Sequence, residues 1–294
     1  MGGLRREGLA LSTAVPVTTY PLRLAAPLAV FMALFFVAPM LMLLFVSGYA
    51  DNGMTQWGSL QAWAKMFDAF GIVVLGDTLW LGLQTTALTL VLGYSLAWSF
   101  LRLPPKWQPI VIFIVMLPLL TSVVVRTFAW IVILGRQGIV NSALQSLGWI
   151  EEPLKLLYTR PGLVVALANV QLPLMVLPLI TALQRIDPNL ADASASLGAG
   201  AWRTFSRVTV PLSLPGVVAG CLLTFAATIT AFISQSLIGG GQMLFMPMYL
   251  YQQASSLSNY PFAAAIGLTF LVAVLVCVSA FNALGRLSRG YAAG

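Results

Sequence analysis

The chain has 294 residues, 59% hydrophobic and only 8% charged, with a formal net charge of +7; soluble domains average about 25% charged residues. A soluble globular protein is excluded, and an integral membrane protein is indicated. There is no His, so the usual metal sites, nucleophile triads and proton shuttles lose their commonest residue.

Crossing the hydrocarbon core takes about 20 apolar residues. Six such stretches follow one another, at roughly 24–47, 77–101, 109–134, 161–183, 211–235 and 261–285. The first is too long for a signal-peptide core and lacks a small-residue cleavage site, so a permanent helix is expected. The second carries Gln84, Thr85 and Thr86, and the third Arg126 and Trp130. An Arg inside a span costs roughly 2.5–3.5 kcal/mol on insertion-derived scales and faces protein or water. Arg126 either lines a pathway or gate, or satisfies carbonyls freed by Pro118 or a carboxylate of a partner. Between spans three and four, Leu144, Leu147, Leu154 and Leu157 lie among charges, which predicts a short amphipathic element on the outer surface.

Span four holds Asn169 and Gln171, and span five Thr228, Thr230, Ser234 and Gln235. Each alone is explained by helix-to-helix hydrogen bonding, worth about 0.6 kcal/mol on average; as a set they outline a weakly polar conduit. No carboxylate falls inside a span except Asp77, at the outer edge of the second. Gly239-Gly240-Gly241 is consistent with a turn or with a loop dipping toward the pathway. Cys221 and Cys277 lie in apolar segments, where neither a disulfide framework nor a metal site is expected.

Basic residues are retained on the cytoplasmic side of a membrane. Arg5, Arg6, Arg23, Arg102, Lys106, Arg185, Arg203, Arg207, Arg286 and Arg289 fall on one side, and Lys65, Arg136, Lys155 and Arg160 on the other. The bias places both termini and the 185–211 loop in the cytoplasm. Scattered in this way, the positive charges form no surface for nucleic acid.

In that loop Asp187-Pro188 is a helix start, with Asp as acceptor for a free N–H and Pro where no donor is needed. Leu190, Ala193, Ser194 and Leu197 recur at helical spacing with small residues at the centre. Gly198 can take the left-handed conformation that ends the helix. A second short helix is expected at about 201–207, resting Trp202 and Phe205 at the bilayer edge, before Pro211 and Pro215 open span five. A plain interfacial turn built from Gly, Ala and Pro is the alternative for any single residue.

Asp192-Ala193-Ser194, Gly198, Val208 and Val210-Pro211 follow the pattern E-A-A-x(3)-G-x(9)-I-x-L-P. The loop thereby resembles the coupling loop of permease subunits in ATP-binding-cassette (ABC) importers, with Asp in place of Glu and Ser in place of Ala. Leu117-Pro118, Val125-Arg126-Thr127-Phe128-Ala129-Trp130, Gly138-Ile139-Val140-Asn141, Leu172-Pro173 and Leu237-Ile238-Gly239-Gly240 are similar to the spermidine/putrescine-type subgroup. The resemblance implies an all-α, six-span, type I importer permease of the bacterial inner membrane. It implies a transport unit at 75–285, preceded by 1–74 as tail, first helix and outer loop and followed by a cytoplasmic tail at 286–294. The implied partners are a second permease, two ATPase subunits and an extracytoplasmic solute-binding protein. ATPase coupling is implied for Leu190, Asp192, Ala193, Ser194, Leu197, Gly198, Arg203 and Pro211.

The expected cargo is a polyamine, opine or similar amine or amino-acid-like solute, with a zwitterionic or neutral one left open. The pathway or gate residues are expected among Gln84, Arg126, Trp130, Asn169, Gln171, Thr228 and Gln235. No phosphate-binding Gly-x(4)-Gly-Lys-Ser/Thr loop is present, so this chain binds no cofactor and ATP with Mg belongs to the partner ATPases. A secondary transporter is the competing reading, but it calls for midplane carboxylates and an inverted repeat, neither of which is apparent. A membrane enzyme lacks its acid pair, base and nucleophile elbow.

Overall fold

The structure is a computed structural model that describes residues 26–50 and 53–292, with side chains to Ala283. Arg5, Arg6, Glu7, Arg23 and Asp51 lie outside the described residues, as do the side chains of Arg286 and Arg289. The chain divides into two units, Met1–Leu43 and Leu44–Gly294. The described part of the first is helix, belonging to α1 (Ala26–Val46), which is apolar along its whole length with a mean hydropathy of 2.7.

The second unit is helical among its described residues. Its elements are α2 (Gln61–Met66), α3 (Ala69–Phe100), α4 (Gln108–Leu120), α5 (Val123–Leu134), α6 (Ile139–Ser146), α7 (Arg160–Gln184) and α8 (Asn189–Ser196). Then come α9 (Ala201–Ile229), α10 (Phe232–Gly239), α11 (Met246–Tyr251) and α12 (Tyr260–Ala292). Among the described residues six helical stretches, α1 included, are long and apolar enough to cross a membrane.

Three of the expected spans are built differently. The second begins at Ala69, so Asp77 lies two turns inside α3 rather than at its edge. The third, expected as one helix over 109–134, is the pair α4 and α5. Pro118 cannot donate to the carbonyl of Ile114, and Thr121 is extended at φ −93°, ψ 147°. The fifth is continuous with the expected short helix at 201–207, joined through a π-helical turn at Phe205–Thr209, and it ends at Ile229 rather than 235. The wide turn is closed by Val210 N–H donating to the Phe205 carbonyl, directly before Pro211, which has no N–H to continue the ladder.

α7 is the central helix, packed on α3 and α9. Between apolar helices in a bilayer close van der Waals approach does the work of water exclusion. Gly216 and Gly220 permit it: a Cβ on Gly216 would stand 2.5 Å from Ala182 Cβ, and one on Gly220 2.6 Å from the Met175 sulfur. Toward α8 this interface is filled by Ala97, Phe100, Met175, Leu179 and Leu183. A cluster with Leu81, Leu163, Leu167, Ile238 and Phe245 is the next layer. Met66, Val74, Met246, Tyr249 and Phe262 seat α2, α11 and α12 at the far end. There Thr78 Oγ1 accepts from the Met246 N–H at 2.9 Å, fixing α11 to α3.

Candidate functional site

The link between α7 and α9 folds by local rules. Asp187 Oδ1 accepts from the Asn189 N–H at 2.9 Å and opens α8. At the other end Gly198 stands at φ +81°. Gly198 N–H donates to the Ala195 carbonyl (2.9 Å) and Ala199 N–H to the Ser194 carbonyl (3.1 Å), the paired bonds of a Schellman end. Eight helical residues are thus closed at both ends by their own sequence.

No residue of α8 is buried. Leu190 is 42% and Leu197 89% exposed, Asp192 and Ala193 are exposed, and Ser194 is half-buried. Ser194 Oγ lies 2.9 Å from Thr204 Oγ1, tying α8 to the start of α9. Arg203 and Pro211 are exposed on that start. The arrangement is a short helix on a braced elbow, its apolar stripe touching nothing else in the chain's core.

Two features that sequence reasoning missed lie beside it. Phe205 is directed at α3, against Trp98 and Tyr94, and Tyr94 Oη is 3.0 Å from Ser213 Oγ. Trp98 also carries the Arg102 guanidinium, 4.6 Å from its ring centre. Aromatic residues at a helix end signal only an interface; their partner is set by tertiary structure.

The intramembrane polar residues separate into groups. Arg126 and Gln171, with Thr230, Ser234 and Phe232, line one cavity of about 430 Å³. Arg126 Nη1 donates to the Pro118 carbonyl, one of those left free where α4 stops, while its Nε is buried without a partner. Gln235 Nε2 donates to the Thr228 and Ile229 carbonyls (2.8 and 3.3 Å), capping the end of α9. Trp130 packs against the layer of Leu81, Leu163 and Ile238. Gln84 is half-buried with an unpaired Oε1, and Asn169 is exposed on α7. A second cavity of about 550 Å³ runs between α7 and α9 past Pro173, Pro178 and Pro215 to Arg185.

At the opposite end Asp77 Oδ1 accepts from Arg160 Nη2 at 2.5 Å. Asn141, fully buried, was not identified beforehand as structural. Its Nδ2 donates to the Gly135 and Leu154 carbonyls and its Oδ1 accepts from the Leu154 N–H, pinning the segment after α6. Three bonds from one side chain explain why an Asn stands on the inner face of α6.

No protein-family model matches the chain. It is 31% identical over 249 residues to the spermidine/putrescine transport system permease protein PotB of Haemophilus influenzae, covering 83% of this chain and 87% of that protein. Over 233 residues it is 30% identical to the inner membrane ABC transporter permease protein YdcU of Escherichia coli, covering 75% and 74%. In fold it resembles a bacterial ABC transporter involved in the import of the acidic polysaccharide alginate, with a TM-score of 0.74 at 20% identity over 90% of this chain and 94% of that one. The alginate transporter in complex with alginate pentasaccharide-bound periplasmic protein gives the same score.

Proposed function

This chain belongs to the permease subunits of ABC importers, and we propose that it forms one half of the path by which a small amine-bearing solute crosses the inner membrane. It is a multi-pass transport subunit and not an enzyme. The solute class rests on PotB, whose name specifies spermidine and putrescine; opines and related amino-acid-like compounds share the amine. Both termini and the 185–211 loop face the cytoplasm on the bias of Arg and Lys. The transport unit is 75–285.

The observation that carries the reading is α8: a helix closed at both ends, braced by Ser194 to Thr204, yet with its Leu190, Ala193 and Leu197 stripe left unburied. A rigid, exposed helix with small central residues suits insertion into a cleft of an ATPase subunit. Closure of two such subunits around ATP and Mg would push α8 of this chain and of a second permease. A periplasmic binding protein delivers the solute, supported by the complex known for the alginate transporter. Asp192, Gly198, Arg203 and Pro211 belong to this elbow.

Arg126 and Gln171 at their shared cavity are the strongest pathway candidates. Gln84 and Asn169 present polar groups without intrachain partners among the described hydrogen bonds, while Trp130, Thr228 and Gln235 stand behind the residues that line the cavity and are not among them. A photo-crosslinker on a cysteine replacing Ala195 tests the central point. It should capture the ATP-hydrolysing subunit, and impermeant thiol reagents should block it only from the cytosolic side. Capture of no such subunit in the assembled importer would sink the reading.

A further inference from the structure

We infer that Phe205 is the joint through which movement of α8 reaches α3 as well as α9, so that the two spans are driven as one body. The inference rests on the proposed role of α8. It starts from the π-helical turn at Phe205–Thr209. In an unbroken α-helix Phe205 would stand about 80° around the axis from Ser213; one extra residue in the turn reduces this to about 20°. Phe205 and Ser213 therefore share the face toward α3, and a single residue of that helix, Tyr94, meets both.

The contacts are aromatic and close. The Phe205 ring stands edge-on to Trp98 (centroids 5.1 Å apart, planes at 74°) and to Tyr94 (5.8 Å, 87°). Trp202 stacks on its other side at 5.7 Å and 30°. Edge-to-face pairs resist sliding because ring edges and faces carry opposite partial charge. Arg102 closes the stack over Trp98 at 4.6 Å. One turn further on, the Tyr94 and Ser213 hydroxyls, 3.0 Å apart, form a second tie, and Ser213 is fully buried. A push on α8 enters the base of α9 through the Ser194 to Thr204 contact. It then meets a wide turn whose flexibility would dissipate it, were Phe205 not wedged against α3.

Phe205 acts through other residues and is a positioning residue, so its test reads coupling rather than mere folding. The importer, reconstituted with its cognate loaded binding protein, is assayed for solute taken up per ATP hydrolysed. Phe205→Ala should lower that ratio about tenfold, and Phe205→Tyr should restore it to within about twofold. An unchanged ratio in Phe205→Ala would overturn the inference. Should that variant fail to assemble, spin labels at Ser99 and Ser206 of the otherwise native complex decide. Their distance distribution should be the same in nucleotide-free and vanadate-trapped states, and a shift of about 5 Å or more, the size of a one-turn slip between helices, would overturn it. If the native complex shows no ATP-dependent uptake at all, the importer reading itself fails.

Discussion

At Gly198 the backbone stands at φ +81°, and a Cβ built there meets no atom within 4 Å, so any side chain is penalised by conformation and not by space. Left-handed backbone costs an ordinary L-residue roughly 1–2 kcal/mol, and Asn less. Gly198→Val should distort the end of α8 and cut solute-dependent stimulation of ATP hydrolysis about tenfold, whereas Gly198→Asn should keep most of it. Equal loss in both would show that a clash with a partner, not the turn, is at stake. The turn was legible beforehand because Asp187, Pro188 and Gly198 act on neighbouring backbone alone. Asn141 and Phe205 were not. The first bonds a carbonyl thirteen residues away and the second a helix more than a hundred residues earlier, and no local pattern encodes either.

Among whole elements, hydropathy located the crossings but not their breaks. Apolar residues dominate 109–134 on both sides of Arg126 and continue past Ile229 to Ile233, so the interruptions at Thr121 and Thr230 follow from Pro118, from the Arg126 bond to its carbonyl and from the cap that Gln235 supplies. Glycines on the same helices differ sharply in what surrounds them. A Cβ on Gly216 would lie 2.7 Å from the Pro178 carbonyl oxygen as well as against Ala182, while one on Gly76 meets nothing within 4 Å. Gly216→Leu must push α7 and α9 apart, and overpacking of this kind costs about 1–3 kcal/mol. Gly76→Ala should be neutral or slightly stabilising, since Ala favours helix by about 1 kcal/mol over Gly. Thermal unfolding of the detergent-purified importer should show a clear drop for the first and none for the second. A drop in both would mean that Gly76 faces a partner subunit.

For the molecule as a whole, the distribution of charge limits what this chain can do for its cargo. Among the described residues, Asp77 is the only acidic side chain within a membrane-crossing helix, and its Oδ1 is engaged by Arg160, while the ionisable group at the Gln171 cavity is the cationic Arg126. An ammonium inside the bilayer is costly by roughly 2.5–3.5 kcal/mol. The aromatic ring lining that cavity, Phe232, returns about 0.5–2 kcal/mol, too little for two or more ammonium groups beside a fixed guanidinium. If mass spectrometry of the cognate binding protein finds a polyamine, the neutralising carboxylates must come from the second permease. Amide substitution of those carboxylates should then lower uptake about tenfold or more, and Gln171→Leu here by no more than about threefold. If the ligand is instead a zwitterion, its carboxylate has a partner in Arg126, and Arg126→Gln should take the larger loss while Arg126→Lys recovers part of it. A polyamine ligand together with indifference to every acidic residue of the second permease would show that the solute bypasses this cavity.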